Sequence, residues 1–310
     1  MAAAGKSRAK AEVGRAVSAE LIAVLAAVTD GQPRVLTIHD GASLPSGPFE
    51  VGHRSLQHGL RDWVAQQTRH SLGYVEQLYT FADRDRKPGG SDQRAISISY
   101  LALTREQRAA APEVEWRDWY DYFPWEDHRA GPPPVIAQTL APRLRAWAEA
   151  AADGEARQSR WRRAAIAFGL EGRAWNDEWA LQRYELLYEA GLVAESGGDG
   201  AGRAMTGDHR RILATGIARL RAKIKYHPVV FELLPDSFTL LQLQKCVEAL
   251  AGRRVHKPNF RRLIEQQELV EETGAAVSDT GGRPAKLFRF RHEVLEERAL
   301  AGTKLPLARA

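Results

Sequence analysis

The sequence predicts an α+β protein, with a mixed strand-and-helix region first and a helical unit with a short strand pair near the C-terminus. Three observations favour this class. Apolar and β-branched runs separated by turn residues occupy the first 130 residues. Alanine- and arginine-rich segments with helical spacing fill the middle of the chain. Two helical patterns and two strand-like runs follow after residue 228.

The chain is long enough to form more than one domain. It has 310 residues, and 44% of them are hydrophobic, which supplies sizeable cores. The run Gly131-Pro-Pro-Pro134 and the glycine-rich stretch 197–202 interrupt the pattern. We therefore expect a basic tail at 1–15, a mixed α/β domain at 16–130, a helical insertion at 131–204, a connecting helix at 205–227, a C-terminal domain at 228–300 and a tail at 301–310.

Positive charge is concentrated at the two ends of the chain. The net charge is +5, yet residues 206–310 alone contain 19 Lys or Arg against 12 Asp or Glu, and residues 1–15 contain four against one. A basic C-terminal part beside an acidic middle favours an anionic polymer as partner. The single cysteine, Cys246, excludes an internal disulfide framework, and no apolar run reaches the length of a membrane span. A cytoplasmic protein is expected.

The most informative local pattern is a predicted helix pair between residues 239 and 264. Thr239 and Gln242 form a predicted capping box at the start of the first helix, and Gly252 is a typical helix end. Pro258 suits the first turn of a second helix. The second helix has a predicted buried stripe of three apolar residues: Phe260, Leu263 and Ile264.

This helix pair and the strand-like runs at 269–273 and 285–290 have the layout of a winged helix-turn-helix domain, which binds double-stranded DNA. Five Lys or Arg and no acid lie between residues 253 and 262. The predicted DNA-contacting residues lie on the second helix and the wing: Lys257, Asn259, Arg261, Arg262, Arg283 and Lys286. A small helical domain with a solvated basic face has the same pattern, so that alternative stays open.

Strands and one helix are predicted in order in the N-terminal region. A hairpin is expected from Leu21–Val28 and Val35–Ile38, then a helix through Leu56, Leu60 and Val64, then strands at 74–81 and 94–103. Six phrases in and beyond this region match a known family in order: Glu76–Phe81, Asp83–Arg86, Ile96–Leu103, Phe231–Pro235, Asn259–Arg262 and Gly282–Ala285.

These phrases resemble the Nudix fold, and more narrowly the Nudix-related transcriptional regulators of NAD metabolism. The resemblance covers the chain except about 131–204, and it implies a Nudix-like α/β/α sandwich and a C-terminal winged helix-turn-helix domain. The helical insertion at 131–204 departs from the short members of this family and favours its longer branch. It also implies a repressor of NAD biosynthesis or salvage genes that binds a palindromic operator as a homodimer. The aromatic run Trp116–Trp125 suits either a core or a subunit interface, and we favour the interface.

The metal-binding box of Nudix hydrolases is degraded in this chain. Such a box carries several carboxylates on one helix face, where they hold the divalent cation that polarises a diphosphate. Gly47 fits that box, Arg61-Asp62 replaces its Arg-Glu pair, and His53, Ala65 and Gln66 stand in place of its other glutamates. Moving the register by one places Gln66 and Gln67 at the last two of those glutamates, which also supplies no carboxylate. Uncharged side chains do not hold Mg²⁺ against water, so neither a metal site nor catalysis is expected.

The resemblance implies that the cleft serves as a sensor for an NAD-related or adenine nucleotide: ADP-ribose, NAD or ATP. The candidate effector-binding residues are Arg61, Phe81, Asp83, Arg84 and Arg86, since an aromatic ring can stack on a base and guanidinium groups suit phosphate oxygens. Alternatively, Phe81 belongs to the core and the charged loop is merely solvated. A Nudix pyrophosphohydrolase acting on ADP-ribose or NAD, and an RNA-binding Nudix relative, are the other functions considered.

Overall fold

A computed structural model describes residues 18–70, 72–82, 95–106, 113–278, 284–291 and 293. One sheet has six strands: β1 Ser18–Thr29, β2 Gln32–Thr37, β3 Ser46–Pro48, β4 Tyr74–Phe81, β5 Ala95–Leu103 and β6 Glu115–Asp118. The strand order is β4-β5-β1-β2-β6, with β3 paired to β1, and only the β1–β5 pair is parallel. The predicted hairpin closes through Asp30 and Gly31, whose positive φ angles of 51° and 72° suit a two-residue turn.

The helices of the first three quarters of the chain are α1 Leu56–Thr68, α2 Ala141–Glu149, α3 Gly154–Ala167, α4 Ala180–Glu189 and α5 His209–Lys223. A five-residue π-helix, Ile136–Leu140, leads directly into α2. The Asp153 carboxylate caps α3 by accepting from the Ala156 N–H at 2.7 Å. No helix of the described ranges is long and apolar enough to cross a membrane.

The central strand β1 is covered on both faces, so its middle is continuously apolar rather than alternating. Leu21, Ala23 and Leu25 pack with α1 on one side. Ile22 and Val24 face α5 on the other, and Gly216 of α5 sits directly against Val24. Helices on both sides of the sheet form the predicted α/β/α sandwich, and the predicted α+β class is confirmed.

The aromatic run Trp116–Trp125 lies mainly in the core of the chain, so the preferred prediction of a subunit interface is wrong. A 3₁₀ turn at Trp119–Asp121 ends β6 and turns the following rings inward. Four side chains are at most 1% exposed: Trp119, Tyr122, Phe123 and Trp125. They fill the space between the sheet and the helices α4 and α5, where no second subunit can reach them.

The helices of residues 136–189 share this core. Leu144 of α2, Ala164 of α3 and Tyr184 of α4 are each at most 1% exposed and pack in the cluster that contains α5. The middle of the chain is therefore an integral layer on the α5 side of the sheet.

The C-terminal part consists of α6 Leu240–Ala251, α7 Lys257–Gln266, β7 Val270–Val277 and β8 Ala285–Phe290. The capping box of Thr239 and Gln242 is present, and Gly252 caps α6 with a φ of 68°. Leu263, predicted to be buried, is 49% exposed. The prediction failed because α7 packs by one edge only, so Phe260 and Ile264 are half-buried and no residue of α7 is fully buried.

Candidate functional site

The outer face of α7 is basic, and its charged groups have no ion-pair partner among the residues that the structure describes. Lys257, Asn259, Arg261 and Arg262 are all exposed, as predicted for residues that contact another molecule. None of the four side chains makes a hydrogen bond or ion pair with another residue of the described ranges. Pro258 in the first turn removes one of the N–H groups that would otherwise need a partner at the helix start. Three unpaired cations and one amide on a single helix can contact phosphate oxygens and base edges.

The two arginines that precede α7 point back to the body of the protein. The Arg253 Nε lies 3.1 Å from an Asp177 oxygen, as a charge contact rather than an aligned hydrogen bond. The Arg254 Nε donates to the Arg129 carbonyl at 2.9 Å. Of the five basic residues at 253–262, two therefore fix the turn and three are directed to solvent.

The wing is a two-stranded antiparallel sheet formed by β7 and β8. The Lys286 ammonium contacts the Glu272 carboxylate at 2.7 Å, and its side chain is 65% exposed. A DNA phosphate would therefore compete with the Glu272 carboxylate for the Lys286 ammonium. Arg283, the other predicted wing contact, lies outside the described residues.

The C-terminal end of α6 is fastened to the segment that follows β6. The Tyr120 hydroxyl donates to the Ala249 carbonyl at 2.7 Å, and the His128 N–H donates to the Gly252 carbonyl at 2.7 Å. A Cβ at Gly252 would lie 2.4 Å from the Glu126 carbonyl oxygen, so only glycine fits here. The position of α7, which begins five residues later, is thus set by residues of the larger domain.

Beneath this junction lies a buried ionic cluster of Glu126, Arg183 and Arg221, whose side chains are each 0% exposed. The Arg183 guanidinium donates to both Glu126 oxygens, at 2.5 and 2.8 Å. Arg221 also pairs with this carboxylate, and its Nε donates to the Leu250 carbonyl at 2.9 Å. Burial alone would raise the pKa of Glu126, but the two guanidinium groups hold that pKa below its ordinary value.

The cluster joins four parts of the chain, and the sequence alone did not indicate it. Glu126 follows the aromatic run, Arg183 lies on α4, Arg221 on α5 and Leu250 on α6. The only local signal is that Arg183 and Arg221 fall at apolar helix positions, next to Tyr184 and Leu220 in the core.

The α1 region that corresponds to the Nudix metal box is occupied by structural contacts. The Gln67 amide exchanges hydrogen bonds with the Ser46 backbone at 3.1 and 2.6 Å. The Trp63 indole covers Gly47 and donates to the Pro48 carbonyl at 2.8 Å. Ala65 and Gln66 are exposed. Within the described ranges, no three or more His, Cys, Asp or Glu side chains are grouped as metal ligands would be.

The structure describes two of the five predicted effector residues, Arg61 and Phe81, and gives each of them structural contacts. Arg61 donates to the carbonyls of Leu72 and Gly73 and so braces the chain after α1. Phe81 is only 4% exposed, in the core, with the Arg211 guanidinium 4.5 Å from its ring centre. This favours the core interpretation of Phe81. The other three predicted residues lie outside the described ranges: Asp83, Arg84 and Arg86.

A cleft of about 660 Å³ opens where the larger domain meets the C-terminal part. Its floor includes the stacked rings of Phe231 and Phe290, with ring centres 4.2 Å apart. Lys223 and Arg289 lie on its walls, but they are already paired with Glu76 and Glu271. The cleft is large enough for a small ligand, although sequence reasoning gave no indication of it.

Residues 230–290 match the family model of the NrtR DNA-binding winged helix domain. The C-terminal domain is therefore similar to the NrtR type of winged helix. This agrees with the free basic face of α7 and confirms the resemblance that the sequence predicted.

Solved structures extend the likeness over the length of the chain. The structure of Shewanella oneidensis NrtR in complex with a 27mer DNA superposes with a TM-score of 0.55 at 20% identity, covering 89% of this chain and 95% of that one. A MutT/nudix family protein from Enterococcus faecalis has a TM-score of 0.53 at 16% identity, covering 92% and 90%. At these identities the likeness establishes the fold, a Nudix-like domain followed by a winged helix.

A curated relative supplies a sequence match over a shorter region. The ADPR responsive transcriptional repressor NtrR of Acinetobacter baylyi is 39% identical over 83 residues, which is 27% of this chain. The match spans about a third of that relative's length, 33%.

Proposed function

We propose that this protein is a DNA-binding transcriptional repressor of NAD biosynthesis or salvage genes, controlled by a nucleotide that its Nudix-like domain binds. The unpaired basic face of α7, within a domain of the NrtR winged helix family, carries the proposal. A DNA-reading helix needs cations that are not already neutralised by the protein, and α7 has three of them. A repressor of this kind acts on chromosomal DNA, so its proposed location is the cytoplasm.

The residues of α7 have distinct proposed roles. The Asn259 amide has the donor and acceptor pair that can read adenine in the major groove. Lys257, Arg261 and Arg262 would bind phosphate oxygens or a guanine edge, and Lys286 with Arg283 would hold the backbone from the wing. A homodimer on a palindromic operator would place two such helices in successive major grooves.

ADP-ribose is the first proposed effector, because the Acinetobacter baylyi relative is an ADPR responsive repressor. NAD and ATP are the other candidates from the sequence. The α1 helix offers no set of carboxylates for a metal, so we propose that the domain binds its nucleotide without hydrolysing it. Arg61, Phe81, Asp83, Arg84 and Arg86 remain the predicted effector residues, although the burial of Phe81 favours a structural role for that ring.

DNA binding is tested by titrating promoter DNA of NAD biosynthetic genes, in a gel shift and by fluorescence anisotropy, with and without ADP-ribose, NAD or ATP. Arg261→Ala should weaken operator binding by about 1–3 kcal/mol, about 5- to 150-fold, if Arg261 contacts a base. Arg162→Ala removes another exposed arginine, on α3 and far along the chain, and should leave affinity unchanged.

Equal affinity of the Arg261→Ala and Arg162→Ala variants would remove α7 from the proposed interface. Preference for single-stranded RNA over duplex DNA would favour an RNA-binding relative. Release of AMP from ADP-ribose with Mg²⁺ would replace the sensor with a pyrophosphohydrolase.

A further inference from the structure

The helical segment 131–204 reaches the turn that precedes the DNA-reading helix. The contact is made by Asp177, which lies in the connection between α3 and α4 and is 7% exposed. One of its carboxylate oxygens accepts from Lys225, just after α5, at 2.9 Å. The other lies 3.1 Å from Arg253, just before α7.

By its charge alone, a carboxylate at this position would weaken DNA binding. Asp177 places a negative charge beside the basic turn that leads into α7, where it opposes the attraction of phosphate groups. Burial alone would raise the pKa of Asp177, but Lys225, with Arg253 and Arg221, holds that pKa below its ordinary value, so the group is ionised at neutral pH. Its presence therefore calls for a structural reason.

The same segment holds the junction at a second point. Arg183 of α4 is one of the two arginines that pair with the Glu126 carboxylate. The backbone carbonyl of Asp177 accepts a hydrogen bond from Arg221 at 2.9 Å. Arg221 in turn holds the end of α6 through the Leu250 carbonyl. The segment thus touches both ends of the α6–α7 turn, directly at Arg253 and through Arg221 at Leu250.

We propose that Asp177 is a positioning residue for DNA recognition, and that the segment 131–204 acts as a strut fixing the orientation of α7. Asp177 does not touch DNA. It withdraws Arg253 from the DNA surface and thereby sets the direction in which the three free cations of α7 point. This assignment gives the segment a role and rests on the proposed DNA-binding function.

The test compares Asp177→Asn with Glu178→Gln. Both variants remove one negative charge from adjacent positions, but among the described residues the Glu178 carboxylate pairs with Lys225 alone, at 2.7 Å. A purely electrostatic role predicts that both variants bind every DNA slightly more tightly. Positioning predicts that Asp177→Asn lowers the ratio of operator to non-specific affinity about 3- to 30-fold, as for residues coupled through a shared network, while Glu178→Gln leaves that ratio unchanged.

Arg253→Gln distinguishes positioning from direct DNA contact. If Arg253 acts through Asp177, the double variant Asp177→Asn/Arg253→Gln should bind operator no more weakly than the weaker single variant. If the two losses instead multiply, Arg253 contacts DNA by itself and the strut is refuted.

Amide hydrogen exchange of residues 253–257 in the DNA-free protein provides a readout that does not depend on DNA. Faster exchange of this turn in Asp177→Asn, with the exchange of β1 and the thermal midpoint unchanged, supports the strut. Unchanged exchange together with an unchanged affinity ratio overturns it. Failure of the wild-type protein to select any operator would instead refute the proposed function, even where the exchange result holds.

Discussion

Replacing Glu126 with glutamine should destabilise the protein more than any exposed charge change. The carboxylate is 0% exposed and accepts from both Arg183 and Arg221, so the Glu126→Gln variant leaves two buried guanidinium groups without a counter-charge. The formal charge of the three-residue cluster rises from +1 to +2. Removing one partner from a buried ion pair costs about 3–5 kcal/mol, which is a large part of the roughly 5–15 kcal/mol that stabilises a typical protein.

The assay is urea unfolding of the full chain followed by far-UV circular dichroism, with intrinsic tryptophan fluorescence as a second probe. Glu189→Gln is the matched control, because it breaks a carboxylate–arginine pair with Arg163 whose side chains are about half exposed. The control should cost no more than about 1 kcal/mol. Adding Arg183→Met to Glu126→Gln removes one of the two uncompensated charges, returns the cluster to +1 and should recover part of the loss.

The pH dependence has a defined sign. The pKa of Glu126 is lowered in the folded state, so its contribution is complete above the ordinary value of 4.5 and is lost as pH falls through the folded-state pKa. The stability gap between wild type and Glu126→Gln should therefore narrow in acid. A loss below about 1 kcal/mol at pH 7 would refute the reasoning, since the cluster would then be replaceable by neutral hydrogen bonds.

Three further predictions concern single sites. Burial, with a minor effect of His39, lowers the pKa of His209 to about 4, so on acidification the unfolded state takes up a proton before the folded state does, and the free energy of unfolding should fall from pH 6.5 to 4. In the variant His209→Asn the amide oxygen can replace Nδ1 as acceptor for the Leu44 N–H. This variant should lower the pH slope of the free energy of unfolding, measured in urea, by up to about 1.4 kcal/mol per pH unit. The Cys246 thiol is 2% exposed, and burial raises its pKa to about 12. A thiol reagent should therefore label it only after denaturant is added, and prompt labelling of the native protein would contradict this burial. Thr239→Ala should lower the free energy of unfolding by about 1 kcal/mol in the same assay, whereas Thr239→Ser, which keeps the capping hydroxyl, should lower it much less. Equal stability of the alanine variant and the wild type would show that this cap does not stabilise α6.

Elements with strong local signals were predictable from the sequence. The two-residue turn at Asp30 and Gly31 defines the first hairpin, and the Thr239 cap with Gly252 defines α6 almost to the residue. The strand at 74–81 was predicted with its observed bounds. In each case the determining interaction lies within a few residues along the chain, where residue type and spacing are sufficient.

The parts that were missed depend on contacts between distant residues. Glu126 and Arg221 are 95 positions apart, and neither side chain differs in sequence from an ordinary surface charge. Leu263 was predicted to be buried because helical spacing shows which face is apolar, but not how much of that face a neighbouring element covers. The aromatic run 116–125 is likewise ambiguous in the sequence, because aromatic density alone does not distinguish a core from a subunit interface.

The attachment of α6 constrains how a ligand could control the proposed repressor. If breaking the junction around Glu126 and Gly252 costs several kcal/mol, a hinge between the winged helix and the Nudix-like domain would require a ligand with about 10⁴-fold preference for the open form, about 5.5 kcal/mol. In the proposed homodimer, a shift of one intact subunit against the other changes the spacing of the two α7 helices without breaking that junction. A bound nucleotide would therefore act on the arrangement of subunits, and variants that loosen the junction should weaken the nucleotide response as well as operator selection.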